Sequence, residues 1–194
     1  MEEKILKALY SKKQTHKFKI EVNKMTSERL KLREVTKNDV GIFYAWWNDG
    51  RLMKDVGFPN GLDLSHEKVL KTIEAHIKNK TLYVIETLHD LKAIGEMSFK
   101  KEDGIRIGLK IADINAQGKG YGKEALILFV KHLFNLYQGK DIFIDTLATN
   151  NRAIQLYQSI GAKITETKKS FWTNPEGKVF DAVFFRLKEN DLNV

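Results

Sequence analysis

Three glycines within five residues mark the part of the chain with the strongest chemical signal. The segment Gln117-Gly-Lys-Gly-Tyr-Gly-Lys123 lies between a strand-like pattern and a long helix-like pattern. Glycine permits a backbone with positive φ and the close approach of a ligand. The first amides of a helix lack carbonyl partners within the helix, and the helix dipole adds partial positive charge there. The segment therefore predicts a cradle for a diphosphate group, with Lys119 and Lys123 at its rim.

The glycine segment has three alternative interpretations. A Walker A loop needs Ser or Thr after its lysine, and Glu124 follows Lys123 here, so that class is excluded. A dinucleotide fingerprint G-x-G-x-x-A matches residues 120–125, with Asp145 at a suitable distance. Against it, polar residues precede the turn, and too little chain follows to build a doubly wound sheet. A glycine-rich helix start without a ligand stays open as well.

The rest of the pattern supplies the elements that would position this segment. Alternating apolar residues predict strands, and apolar residues recurring every three or four positions predict helices. The predicted helices cover 38–47, 65–77, 120–137 and 152–160, and the predicted strands cover 30–35, 81–88, 93–100, 105–111, 141–147, 163–173 and 178–187. Turn-forming residues predict a loop over 51–64. We expect an α/β (α+β) fold with a single mixed, mostly antiparallel, twisted sheet of about seven strands flanked by four helices.

Composition limits the class of protein. The 194 residues are enough for one domain with a substantial core. The chain has no cysteine, which excludes disulfides, thiolate metal sites and a cysteine nucleophile. Its five histidines have no metal-binding spacing and it has no Gly-x-Ser-x-Gly motif, so we expect no metal and no serine hydrolase. No apolar run approaches the roughly 18 residues of a membrane span, so we expect no membrane contact and a cytoplasmic protein.

The positive charge is unevenly distributed along the chain. The net charge is +8, and residues 1–24 carry half of it, with seven lysines against three glutamates. We therefore divide the chain into a basic N-terminal extension, 1–24, and a main domain, 25–194. The domain has too small an excess of positive charge to form a basic stripe on its surface, so no nucleic-acid partner is expected. A modest excess of positive charge is sufficient to attract an anionic cofactor.

Three segments together resemble one known family. The glycine segment is similar to the Q/R-x-x-G-x-G/A signature of the GNAT superfamily of N-acetyltransferases. Residues 151–162, NRAIQLYQSIGA, resemble its later N-x-x-A-x-x-L-Y-x-x-x-G-F segment, and residues 93–99 resemble its third strand. Residues 26 to about 188 follow the family's element order, in the arrangement of its ribosomal-protein N-terminal (Rim-type) branch. The resemblance implies transfer of an acetyl group from acetyl-CoA to a primary amine.

The resemblance also implies where the coenzyme would bind. Main-chain amides of the glycine segment would hold the diphosphate, and the end of the fourth strand, which splays from the fifth in this fold, would pair with the pantetheine like an extra strand. Asn151 would hydrogen-bond the pantetheine arm. The implied cofactor-binding residues are Ile111, Ala112, Asp113, Gln117, Gly118, Lys119, Gly120, Tyr121, Gly122, Lys123, Asn151 and Arg152.

Two residues are candidates for proton transfer. The resemblance implies that Tyr157 protonates the departing thiolate, which is chemically consistent because a phenol of pKa ~10 stays protonated at neutral pH. Alternatively, Tyr157 is an aromatic residue of the hydrophobic core with no role in catalysis. Relatives carry a glutamate base on the fourth strand where this chain has Arg106, so Glu96 on the neighbouring strand is the substitute candidate. The alternative for Glu96 is an exposed strand glutamate.

The resemblance places the acceptor near the first two helices and the loop after the first. Aromatic and acidic side chains there could hold a cationic amine. The acceptor-pocket candidates are Trp46, Asp49, Phe58 and Trp172. Trp47 is expected to face the core, and Trp172 to close either this pocket or the interface of a homodimer. The acceptor could be a small molecule or a protein amine, and the alternative function is a non-catalytic acyl-CoA sensor or protein-interaction module.

Overall fold

The sheet contains seven strands in the order β1-β2-β3-β4-β5-β7-β6. The computed structural model describes residues 25–194, so the basic extension lies outside the described residues. The strands are β1 Leu30–Glu34, β2 Leu82–Thr87, β3 Ala93–Lys101, β4 Ile105–Ile111, β5 Ile142–Leu147, β6 Lys163–Thr173 and β7 Val179–Leu187. All neighbours pair antiparallel except β4 and β5, which pair parallel. The predicted mixed, mostly antiparallel sheet is confirmed.

Five α-helices within residues 25–194 accompany the sheet, one more than predicted. They are α1 Val40–Asn48, α2 Gly50–Met53, α3 His66–Asn79, α4 Tyr121–Leu136 and α5 Asn151–Ser159. The additional helix, α2, falls in the segment predicted to be a loop. Asp49 explains it, because its carboxylate accepts a hydrogen bond from the Arg51 amide at 2.8 Å and caps the helix start. Across residues 25–194, no helix has both the length and the apolar character that crossing a bilayer requires.

The longer helices cover opposite faces of the sheet. Tyr83 and Ile85 of β2 belong to the core cluster that contains the buried face of α4. The alternate residues Leu82 and Val84 belong to a second cluster with α1 and α3, as the period-two geometry of a strand requires. The N-terminus of α4, and the glycine segment before it, is therefore anchored by the larger core.

Strands β4 and β5 separate at one end. Their pairing runs from Ile105↔Ile142 to Ile107↔Ile144 and stops there, although both strands continue. On its other edge β5 stays paired with β7 as far as Leu147. The edges of β4 and β5 that face each other beyond Ile107 therefore enclose a gap. The predicted splay is confirmed.

Candidate active site

The glycine segment forms a turn that leads into α4. Gly118 and Gly120 have φ values of +76° and +83°, a region in which side chains other than glycine are strained. The main-chain amides of residues 118–123 donate no hydrogen bond to any described residue. These amides converge at a helix N-terminus, where the dipole supplies partial positive charge. The arrangement fits the diphosphate of a coenzyme.

Gln117 ties this segment to the splayed strands. Its Nε2 donates to the carbonyl oxygen of Ile111 at the end of β4, at 2.9 Å. Its Oε1 accepts a hydrogen bond from Nη1 of Arg152 on α5, also at 2.9 Å. The diphosphate cradle is thereby held at the open end of the gap between β4 and β5.

A cavity of about 130 Å³ extends from this segment along the gap. Its lining includes Leu109, Ile111, Gln117, Gly122, Arg152 and Tyr157. Ile111 therefore lies where the resemblance implied. Ala112 and Asp113 do not offer their amides to a ligand, because both donate to the carbonyl oxygen of Ile94, at 2.8 and 3.0 Å. The predicted pairing of these two residues with the pantetheine would therefore have to use their carbonyl oxygens.

The structure also corrects the asparagine assigned to the pantetheine. Asn151 is exposed in the first turn of α5. Its neighbour Asn150 lines the cavity, and its side chain accepts a hydrogen bond from the Ala153 amide at 3.1 Å, which caps α5. The sequence contained the signal, since Asn150 stands three residues before Ala153, as the N-x-x-A pattern requires.

Tyr157 lines two cavities. Its side chain is only 6% exposed and packs edge to face against Phe185, with ring centres 5.5 Å apart. Its hydroxyl makes no hydrogen bond to any residue in 25–194, and the oxygen is not fully buried. Burial, together with the nearby Asp145 carboxylate, raises the pKa of Tyr157 to about 12. The phenol therefore stays protonated at physiological pH while it packs as a core aromatic.

A second cavity, of about 310 Å³, adjoins the first and has several of the same lining residues. It shares Asp55 and Tyr157 with the first cavity and adds Asp145, Phe171 and Trp172. Both acidic residues are exposed, and none of the described lining residues is Lys or Arg. The cavity therefore combines negative charge with aromatic surface, which suits a cationic ligand.

Asp145 is held in this cavity from the neighbouring strand. Nη1 of Arg106 donates to Oδ1 of Asp145 at 2.5 Å, and Nε of Arg106 donates to Glu102 at 3.2 Å. The second carboxylate oxygen of Asp145 accepts no hydrogen bond within the described part of the chain. The sequence flagged Asp145 only within the dinucleotide pattern, because its contact with β4 depends on the parallel pairing of the two strands.

Two of the four predicted acceptor residues lie at the second cavity, and the other two lie elsewhere. Trp172 lines the second cavity, and Phe58 packs against it with ring centres 5.1 Å apart. Asp49 instead caps α2 and pairs with Arg51. Trp46 is 8% exposed and packs on Phe43 in the core beneath α1 and α3. Trp46 and Asp49 are therefore removed from the acceptor pocket.

Glu96 lies outside the lining of both cavities. Its carboxylate accepts a hydrogen bond from Nε1 of Trp47 at 3.1 Å and lies 3.4 Å from Nζ of Lys110. The side chains of this ion pair are only 13% and 14% exposed. Glu96 is thus neither an exposed strand glutamate nor a free carboxylate at the reaction site. Because Glu96 does not line either cavity, the predicted role as base would require a water molecule between its carboxylate and the amine.

The wall between the two cavities is clamped by the hairpin of β6 and β7. Asp55 and Val56 line both cavities, and the next residue, Gly57, has φ of +93°. The Gly57 carbonyl accepts a hydrogen bond from Nδ2 of the buried Asn174 at 3.2 Å. A Cβ atom at Gly57 would stand 2.0 Å from the Trp172 ring. The wall and Trp172 are therefore packed as one unit.

A mixed sheet that splays beside a glycine-rich helix start defines the class of domain as GNAT-like. The family model described as "Acetyltransferase (GNAT) domain" matches residues 29–163, and the chain belongs to that family. A probable spermine N(1)-acetyltransferase from Bacillus subtilis subsp. natto (strain BEST195) is 43% identical over 49 residues, 25% of this chain and 32% of the relative. The match thus spans about a third of that relative's length.

Solved structures share the fold at low sequence identity. One is a spermidine N-acetyltransferase from Vibrio cholerae in complex with CoA and spermine, with a TM-score of 0.74, 18% identity, and coverage of 85% of this chain and 98% of that chain. Another is a RimL ribosomal-protein alpha-N-acetyltransferase in complex with coenzyme A, with a TM-score of 0.72, 17% identity, and coverage of 83% and 94%. The implied fold is confirmed, and a RimL enzyme is among the proteins that share it.

Proposed function

We propose that this chain transfers an acetyl group from acetyl-CoA to the primary amine of a cationic acceptor. One observation carries the proposal. Tyr157 lines both the cavity that begins at the glycine segment and the cavity that contains Asp55 and Asp145. A thioester entering from the first cavity and an amine entering from the second would meet beside a protonated phenol.

The chain's own groups account for coenzyme binding. The amides of residues 118–123 have no acceptor among the described residues and would bind the diphosphate. The edges of β4 and β5 beyond Ile107 have no strand partner across the gap, so a pantetheine amide chain would supply one. Asn150 and Ile111 line the same cavity and would border that arm.

The reaction needs two protons moved and two bonds changed. The amine nitrogen bonds to the thioester carbonyl carbon, the carbon–sulfur bond breaks, and the electron pair stays on sulfur. Tyr157 would give its proton to that thiolate, since its raised pKa keeps it protonated. The attacking amine loses its own proton to water in the open acceptor cavity, and that proton restores the phenol.

The acceptor is proposed to be cationic because of the charge of its cavity. Asp145 offers one carboxylate oxygen that is not engaged by Arg106, and Asp55 offers a second carboxylate. A polyamine or a lysine-like chain would place one ammonium near these groups while a neutral nitrogen reaches Tyr157. The name of the curated relative, a probable spermine N(1)-acetyltransferase, points to the same class of acceptor.

The test combines binding with a panel of amines. Calorimetry should detect binding of acetyl-CoA and CoA, and a thiol reagent should detect CoA release with spermine, spermidine or a lysine peptide. The assay has no protein background because the chain has no cysteine. Coenzyme binding without thiol release from any amine would refute catalysis and favour the acyl-CoA sensor.

Asp145→Asn tests the acceptor side separately. The acceptor KM should rise about tenfold, as for loss of one charged hydrogen bond, while the CoA Kd stays unchanged. Asp103→Asn is the matched control, because Asp103 is exposed and lies outside both cavity linings. Equal acceptor KM values for the two variants would contradict the assignment of Asp145.

A further inference from the structure

Glu124 occupies an unfavourable position for a diphosphate site. It lies in the first turn of α4, directly after the unpartnered amides of residues 118–123. A carboxylate in this turn stabilises an empty helix, but its charge repels an anion bound at the same end. Some feature of the chain must offset that repulsion if the cradle is to bind a diphosphate.

Ser27 and Arg29, which lie just before β1, offset this repulsion. Oε1 of Glu124 accepts hydrogen bonds from the Ser27 hydroxyl at 2.7 Å and from the Arg29 amide at 3.0 Å. Oε2 accepts from Nε of Arg29 at 2.7 Å, and Nη2 of Arg29 completes an ion pair at 2.5 Å. Both carboxylate oxygens are therefore bound by residues just before β1.

These contacts keep the carboxylate ionised and directed at Arg29. Burial by itself would raise the pKa of Glu124, but the hydrogen bonds from Ser27 and Arg29 outweigh it and hold the pKa below its usual range. The negative charge is thus permanent at neutral pH. It is also matched by a guanidinium, which is always charged.

Arg29 contacts the glycine segment as well. Its Nη1 donates to the Lys119 carbonyl oxygen at 3.2 Å, and its guanidinium carbon lies 4.6 Å from the centre of the Tyr121 ring. The Lys119 carbonyl and the Gly120 amide belong to one planar trans peptide, so they point in opposite directions. Holding the carbonyl towards Arg29 therefore directs the Gly120 amide away from β1, towards the space the other free amides share.

We propose that Arg29 is a positioning residue for the coenzyme. It counters the charge of Glu124 and, by binding the Lys119 carbonyl, aims the Gly120 amide into the diphosphate cradle. The inference rests on the proposed function. It places a determinant of coenzyme affinity at the start of the domain, about 90 residues before the glycine motif.

A mutant cycle between Arg29 and Glu124 tests this proposal. Arg29→Ala should raise the CoA Kd about tenfold, the scale of one charge-assisted contact, and leave kcat at saturating substrates within about twofold. Adding Glu124→Gln should then tighten binding again by about threefold or more, because the uncompensated charge is removed. Lys131→Ala is the matched control for lost positive charge, since Lys131 is exposed farther along α4.

The measurements separate this proposal from its competitors. Arg29→Ala binding CoA like the wild type would overturn it, and so would a double variant as weak as Arg29→Ala, which would indicate direct contact with phosphate. A defect that disappears with 3′-dephospho-CoA would also overturn it, by assigning Arg29 to the 3′-phosphate. Arg29→Lys, expected to give an intermediate Kd, replaces the alanine variant if melting shows that the latter is unfolded. A folded wild type that fails to bind CoA would instead refute the proposed function.

Discussion

Replacing Tyr157 with phenylalanine removes one oxygen atom from the point where the two cavities meet. The hydroxyl makes no hydrogen bond to any described residue, and the ring keeps its edge-to-face contact with Phe185 at 5.5 Å. The free energy of unfolding should therefore change by less than about 1 kcal/mol, because no buried partner is left unsatisfied. The Kd for CoA should be unchanged, since the diphosphate cradle is formed by other residues.

The rate should fall because the departing thiolate loses its proton donor. With the Tyr157 pKa at about 12 and an aqueous thiolate near 8.5, proton transfer is unfavourable by about 3.5 pKa units, or roughly 5 kcal/mol. Burial of the thiolate raises its basicity and reduces this gap. The Tyr157 phenol would therefore donate its proton to the coenzyme A thiolate only while that sulfur is inside the cavity. We expect Tyr157→Phe to lower kcat by about 10²-fold or more, the usual contribution of a positioned acid.

The assay is thiol release at saturating acetyl-CoA and acceptor, with Tyr137→Phe as the matched control. Tyr137 terminates α4, and its ring packs against Phe99. The control should retain full kcat. The reasoning is refuted if Tyr157→Phe keeps more than about half of the wild-type kcat while both variants melt like the wild type, because a positioned acid contributes far more than that.

Two further predictions follow from the site. The required neutral phenol is present below its pKa of about 12 and is lost only as the pH rises through that value, so kcat should show no alkaline decline up to about pH 10. A decline beginning near pH 9 would show that the phenol titrates at its ordinary pKa of about 10. Gly57→Ala should lower the free energy of unfolding by about 2–4 kcal/mol in urea, because its Cβ would stand 2.0 Å from Trp172. Gly177→Ala, at φ of +81° with open space around it, should lose only about 1 kcal/mol; equal losses would contradict the clash.

Much of the fold could be predicted because the spacing of apolar residues indicates which face of a helix or strand is buried. Most of the strands and the four longer helices follow an apolar repeat and are bounded by turn or cap residues. Strand β6 is the exception, since nearly all of its residues are exposed. Helix α2 escaped prediction because it is four residues long and depends on one side-chain cap, Asp49. The turn formed by the glycine segment was also predictable. It consists of main-chain amides whose freedom follows from glycine spacing and from the start of α4.

Side-chain direction was harder to predict than backbone position. Helix α1 packs against both the sheet and α3, so its buried face is wider than one stripe. Adjacent Trp46 and Trp47 are consequently both buried, and the indole N–H of Trp47 reaches Glu96 on β3. Helical spacing alone predicted that Trp47 faces the core and that Trp46 faces the acceptor pocket. Nothing in the sequence indicates how far across the sheet an indole reaches.

The contrast between Arg106 and Asp145 shows how pairing decides the chemistry of the gap. Arg106 is paired with Phe143 on β5, and Asp145 stands two residues farther, past the last paired position. A guanidinium on β4 can therefore bind a carboxylate on β5 only because the strands run parallel up to that point and then part. Here a carboxylate beside the gap lies on β5, and Arg106 on β4 donates a hydrogen bond to its Oδ1 atom.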